Sequence, residues 1–204
     1  MFQDPRVVDP RNATRALDEA VATLGLPRAV ATVVAWTIQE TKDQTVEVPR
    51  GLTESLRIWL RCVDVREPSG RRVDLAWMSG EDCSLTMDAL GGMVRALGCA
   101  TMRVGPVTDP RMLIESVSRN APETIILEAS STGERVGAVR AIREVARAGR
   151  TEVLYTGPAF LAPTSRRHVP GTYLDDDLAL ASKSLALHFA RMDAESRSRL
   201  ASRA

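Results

Sequence analysis

The chain is poor in the residue types that carry most enzyme chemistry. It has two histidines, His168 and His188, and with imidazoles so placed neither a zinc-ligand spacing nor a Ser-His-Asp order can be assembled. The three cysteines, Cys62, Cys83 and Cys99, form no CxxC pair, and no signal peptide precedes them. The expectation is a reducing cytoplasm and no disulfide framework. No apolar run approaches the roughly 18 residues that a membrane span requires. Charge of one sign is lacking too: 27 Lys and Arg against 26 Asp and Glu leave a formal +1, which argues against a dedicated nucleic-acid surface. Trp36, Trp59 and Trp77 read as packing residues rather than an aromatic cap over a ligand.

What is present is the composition of a soluble globular protein, 44% hydrophobic and 26% charged over 204 residues, enough for one ordinary domain and a smaller companion. The organising stretch is GEDCSLTMDALGGMVRALGCATMRVGPVTDP, from Gly80 to Pro110. Before it, Val73 to Met78 is a short apolar run bounded by Ser and Gly, the pattern of a strand. Within it, Cys83, Met87, Leu90, Val94 and Leu97 step by four and three, the stripe of a one-sided helix. Gly98 ends that helix, and Ala100 to Val104 begins a second strand. Strand, crossover helix and strand make a parallel βαβ unit. Its first turn, Ser79–Ser84, lies at the carboxyl end of a strand, where open parallel sheets hold ligands.

Upstream, three amphipathic helices are expected, carrying Leu17, Ala20, Val21 and Leu24; Val30, Val33, Val34 and Ile38; and Leu52, Leu56, Trp59, Leu60 and Val63. Residues 1–66 form this helical, cap-like region, and REPSGRR marks the boundary. The α/β domain follows at 72–192, with further strands at Thr124–Leu127, Glu152–Tyr155 and Thr172–Leu174. Asp175, Asp176 and Asp177 suit the amino end of the last helix, and 193–204 is expected as a flexible tail. The fold class is therefore α/β: a flavodoxin-like, doubly wound, five-stranded parallel sheet in the order 2-1-3-4-5, preceded by a small helical bundle. In that order the turns at Ser79–Ser84 and Glu128–Thr132 flank the crevice, with Thr156–Ala159 beside them.

Individual residues have plain readings. Cys83 reads as a small side chain on the helix stripe, and Glu81-Asp82 as capping acids. Gly91-Gly92 neither follows a strand nor opens a helix, so close packing explains it better than a phosphate loop. The arginines of 135–150 are interrupted by Glu134 and Glu144 and read as a solvated face.

The Gly80–Pro110 stretch, PETIILEASS, VLYTGPAF and VPGTYLDDDL together resemble the cobalamin (B12)-binding domain. The nearest form is the module of MerR-like, light- and B12-sensing bacterial transcription regulators, and the resemblance covers about Val73 to Leu187. The helices before it resemble the bundle that caps cobalamin's upper face in those regulators. In that family a histidine on the first turn, fifteen residues before the helix-ending glycine, coordinates cobalt; counting back from Gly98 reaches Cys83. The family's glycine three residues later is Thr86, beside Ser84. Its serine after the third strand falls on Glu128, within one or two positions, with Ser130 and Ser131 adjacent. Its paired glycines after the fourth strand, which admit the nucleotide tail, are Thr156-Gly157.

These departures shape the expectation. A branched Thr86 narrows the approach to the backbone, a carboxylate at Glu128 is costly to bury unpaired, and Cys83 removes the axial imidazole. The resemblance, so altered, implies a non-catalytic, non-enzymatic sensor in a degenerate B12-binding-like fold, without cofactor or metal, with cobalamin or haem binding as the alternative. Such a module would act through a protein partner, a transcription regulator or signalling protein, or as a homo-oligomer. Direct nucleic-acid or membrane contact is not expected.

Overall fold

The computed structural model describes residues 10–43, 50–63, 69–78 and 84–202. Cys83, Glu81-Asp82 and residues 66–68 of the REPSGRR boundary lie outside them. Three helices, α1 (Pro10–Leu24), α2 (Leu26–Asp43) and α3 (Arg50–Cys62), precede strands β1 (Arg72–Trp77), β2 (Ala100–Arg103), β3 (Thr124–Glu128), β4 (Glu152–Thr156) and β5 (Thr172–Tyr173). Between and after the strands run α4 (Leu85–Ala96), α5 (Pro110–Asn120), α6 (Arg135–Ala148) and α7 (Leu178–Ala201). All five strands pair in parallel in the order β2-β1-β3-β4-β5, as the sequence predicts.

Alternation along the strands builds two cores. Val73, Leu75, Trp77, Ile126 and Leu154 face α4, α7 and the amino-terminal helices. Ala76, Ile125, Leu127, Val153 and Tyr155 face α5 and α6. The central strands are thus apolar on both sides, which is why TIIL in β3 is an unbroken apolar run.

The helical region does not sit apart. Leu17, Val30, Val34, Leu56 and Leu60 are buried in the same core as Met87 and Leu90 of α4. Gly91 and Gly92 make that packing possible: a Cβ on Gly91 would meet Leu75 Cδ1 at 2.7 Å, and one on Gly92 would meet the Leu60 carbonyl oxygen at 3.3 Å. One glycine lets α4 settle on the sheet and the other lets α3 settle on α4. Polar ties reinforce the second contact. Asp88, only 4% exposed, meets Arg57 at 3.6 Å, Arg61 at 3.3 Å and Arg103 at 2.8 Å. Arg95 donates to the Leu60 and Val63 carbonyls and to Thr101 Oγ1.

At the other end, α7 continues to Ala201 where the sequence suggests a frayed tail from residue 193. Arg71, almost fully buried, donates to Asp193 Oδ1 at 2.5 Å and to the Phe189 carbonyl. This anchors α7 at Phe189 and Asp193 to the start of β1. Among the described residues no helix is long and apolar enough to cross a membrane.

Candidate functional site

The carboxyl ends of β1, β3 and β4 meet in register, Trp77 beside Glu128 and Glu128 beside Thr156. Ser84, just before α4, is its amino cap: its hydroxyl accepts from Met87 N at 3.0 Å. The helix therefore opens at Leu85, later than the Cys83 start that the apolar stripe suggests, because a serine hydroxyl satisfies an otherwise orphaned amide. The same hydroxyl donates to Glu128 Oε1 at 2.5 Å.

Glu128 is 3% exposed, and its second oxygen, Oε2, is buried without a hydrogen-bond partner among the described residues. Burial pushes this carboxyl above the ordinary carboxylate range. The hydrogen bonds from Ser84 pull it back, while the charges of Asp176 and Glu134 push the same way as burial. An acid half-satisfied at the end of the central strand is the least comfortable group in the crevice.

Beside it, Asp176 Oδ1 accepts from Tyr173 Oη at 3.1 Å, Gly157 N at 3.3 Å and Thr156 Oγ1 at 3.4 Å. Burial and the Asp176 charge hold the Tyr173 phenol protonated far above its usual range, and the Arg166 guanidinium lies over its ring at 4.2 Å. The sequence pattern groups Asp176 with Asp175 and Asp177 as acids at the amino end of a helix and does not single it out. Only Asp177 caps α7, accepting from Ala179 N at 2.7 Å and Leu180 N at 3.1 Å. One cap needs one carboxylate, and the surplus acid was the available signal.

The structure thus brings together Ser84, Glu128, Thr156 and Gly157. It leaves Ser130 and Ser131 exposed on the following loop, where the Ser130 amide donates to Glu134 Oε2 at 2.7 Å. Thr86 is half-buried on the first turn of α4. Gly157 has a different task from the one that the family pattern implies. With φ at +105°, a Cβ there would sit 2.4 Å from the carbonyl oxygen of Ala129. The space that glycine leaves is taken by the chain's own β3 loop, joined to it by hydrogen bonds from Ala129 N to Thr156 O and from Ala159 N to Ala129 O. On the β1 side, Trp77 is buried beneath Gly105, whose added Cβ would meet the indole at 2.6 Å. The Arg103 guanidinium lies 5.2 Å from the same ring.

Neither histidine serves this crevice. The His188 ring lies at the amino end of β3, 3.2 Å from Thr124 Oγ1, and His168 is exposed in the loop after β4. Among the described residues no group of three or more His, Cys, Asp or Glu side chains is placed to hold a metal ion. Among the described residues of the crevice there is no imidazole, a buried acid stands at the end of β3, and the space left by Gly157 is filled by the chain's own backbone.

The fold itself is B12-binding-like. The chain superposes on the monomethylamine corrinoid protein of Methanosarcina barkeri with a TM-score of 0.58, at 13% identity, covering 87% of this chain and 90% of that one. It also superposes on the methanol:cobalamin methyltransferase complex MtaBC of the same organism with a TM-score of 0.52, at 14% identity, covering 89% and 75%. At such identities the likeness is one of fold alone. No protein-family model matches the chain, and no curated protein matches it significantly.

Proposed function

We propose that this protein is a non-catalytic regulatory module: a B12-binding-like fold whose crevice no longer takes cobalamin through a histidine, and which acts through a protein partner or by self-association. The observation that carries the reading is Glu128, a buried acid with one oxygen on Ser84 and the other unpartnered. A carboxylate there opposes burial against an anionic nucleotide tail, and the charges that act on it among the described residues are those of two further acids, Asp176 and Glu134. The departures at Cys83 and Thr86 point the same way.

The likeness in fold to two corrinoid proteins favours a second reading, a sensor that holds cobalamin or haem without histidine. One experiment separates them. The full chain is purified from cells supplied with cobalamin and with the haem precursor 5-aminolaevulinate, and its visible spectrum is recorded. A colourless protein is expected; a corrin or Soret band in stoichiometric amount establishes the second reading instead.

A further inference from the structure

Along the outer side of α6 the structure forms a groove of about 380 Å³ against the loop after β4, lined by five arginines (Arg135, Arg140, Arg143, Arg147 and Arg167), by Glu144, and by Val136 and Val139. In the sequence Glu134 and Glu144 break up these arginines and suggest an ordinary solvated face. In three dimensions Glu134 does not, and Glu144 offsets only one of the charges. Glu134 turns back to the Ser130 amide and is not part of the groove, and Glu144 is held by Arg147 on the same helix.

The remaining guanidiniums have neutral partners or none. Arg135 donates twice to the Ser165 carbonyl, at 2.7 and 3.0 Å, and Arg143 to the His168 carbonyl at 3.4 Å. These bonds fix the loop against the helix without cancelling charge. Arg140 and Arg167 have no hydrogen-bond or ion-pair partner among the described residues. Four positive charges beyond the Arg147–Glu144 pair thus line a groove that follows α6 for about 18 Å, in a chain whose formal net charge is +1. Between them Val136 stands 75% exposed, with Val139 half-buried beside it.

We infer that this groove docks an acidic segment of a partner protein, one that carries apolar side chains among its carboxylates. Forked guanidiniums match carboxylates bidentately, and the exposed valine gives an apolar side chain something to cover. A nucleic acid would use the arginines but not the valines, and the lining offers no aromatic ring on which bases could stack. The inference names the partner's chemistry at a site remote from Glu128. It stands or falls independently of what the crevice binds: the visible spectrum reads one, and a binding titration reads the other.

The test uses the full chain and a fluorescein-labelled helical peptide with glutamates on two stripes flanking a leucine stripe, at physiological ionic strength. Saturable binding is expected, with ¹⁵N amide shifts concentrated in residues 135–147 and 163–168. Arg140→Glu combined with Arg167→Glu should weaken it about tenfold or more while the circular dichroism stays unchanged. Val136→Ser should weaken the peptide roughly fivefold and leave any binding of random-sequence duplex DNA unaltered. Absence of peptide binding overturns the inference. So does indifference to the charge reversal, or duplex DNA binding more tightly than the peptide and shifting the same amides.

Discussion

Ser84 and Glu128, distant in sequence, are joined by a hydrogen bond of 2.5 Å from the serine hydroxyl to Oε1. That hydroxyl also caps α4, so one side chain ties the first helix of the α/β unit to the end of its central strand. Glu128 keeps a second, buried oxygen with no partner among the described residues. The acid is therefore held in place by a bond that satisfies only half of it.

Stability should respond to pH through this group. The folded-state pKa of Glu128 is raised by burial above its ordinary value of 4.5, so the folded state binds its proton more tightly than the unfolded chain does. The contribution is fully present below about pH 4.5 and is lost as pH rises through the folded pKa. Glu128→Gln should remove this component, seen as a smaller fall in urea-unfolding free energy between acid and mildly alkaline pH. Glu128→Met, which leaves Ser84 its capping role, should raise stability at alkaline pH by about 1–3 kcal/mol. Identical pH profiles for wild type and Glu128→Gln would contradict the burial argument.

His188 should act with the opposite sign. Burial holds its pKa below 6.5, against the charge of Glu152, while Arg191 and Arg71 add to the lowering. The unfolded chain binds this proton more tightly, so stability should fall as pH drops from about 6.5 through the folded-state value. Nuclear magnetic resonance titration of the His188 ring protons should give a midpoint below the ordinary imidazole value of 6.5.

Gly157→Ala should be among the most damaging single-atom changes in the chain. It places a Cβ 2.4 Å from the Ala129 carbonyl oxygen at a φ of +105°. Backbone strain alone costs about 1–3 kcal/mol, and the β3 and β4 loops must also part. A shift of the urea midpoint corresponding to at least about 2 kcal/mol is expected; Gly133→Ala, whose added Cβ meets only Ser131 Oγ at 3.8 Å, serves as control.

Asp88→Asn should loosen the helical region from the sheet. Asp88 faces three arginines that are themselves partly exposed, so solvent screens part of the loss, and a cost of about 1–3 kcal/mol is expected. Faster amide hydrogen exchange in α3 than in β3 distinguishes loosening of the interface from global destabilisation.

Much of the fold is legible in the residue pattern. The run TIIL, the stripe of Met87, Leu90 and Val94 and the Asp109-Pro110 start of α5 each encode their element locally, and the parallel order follows from the crossovers. Gly91-Gly92 is also legible as a packing feature, although only the structure assigns one glycine to Leu75 and the other to Leu60. The site is less so. Whether Glu128 is buried, and that Ser84 meets it, depends on two segments arriving together. The task of Gly157 depends on where Ala129 lies, and the arginines of α6 look neutralised until Glu134 is seen to turn away. Local pattern specifies elements; the partners of charged and polar groups are set by tertiary contact.

The most direct test of the altered crevice is a titration of the purified full chain with hydroxocobalamin and, separately, with haemin, followed by visible absorption. The account predicts no saturable change in either spectrum at equimolar ligand. A saturable shift of the corrin or Soret band, weakened or abolished by a bulky substitution at Thr156, would contradict it.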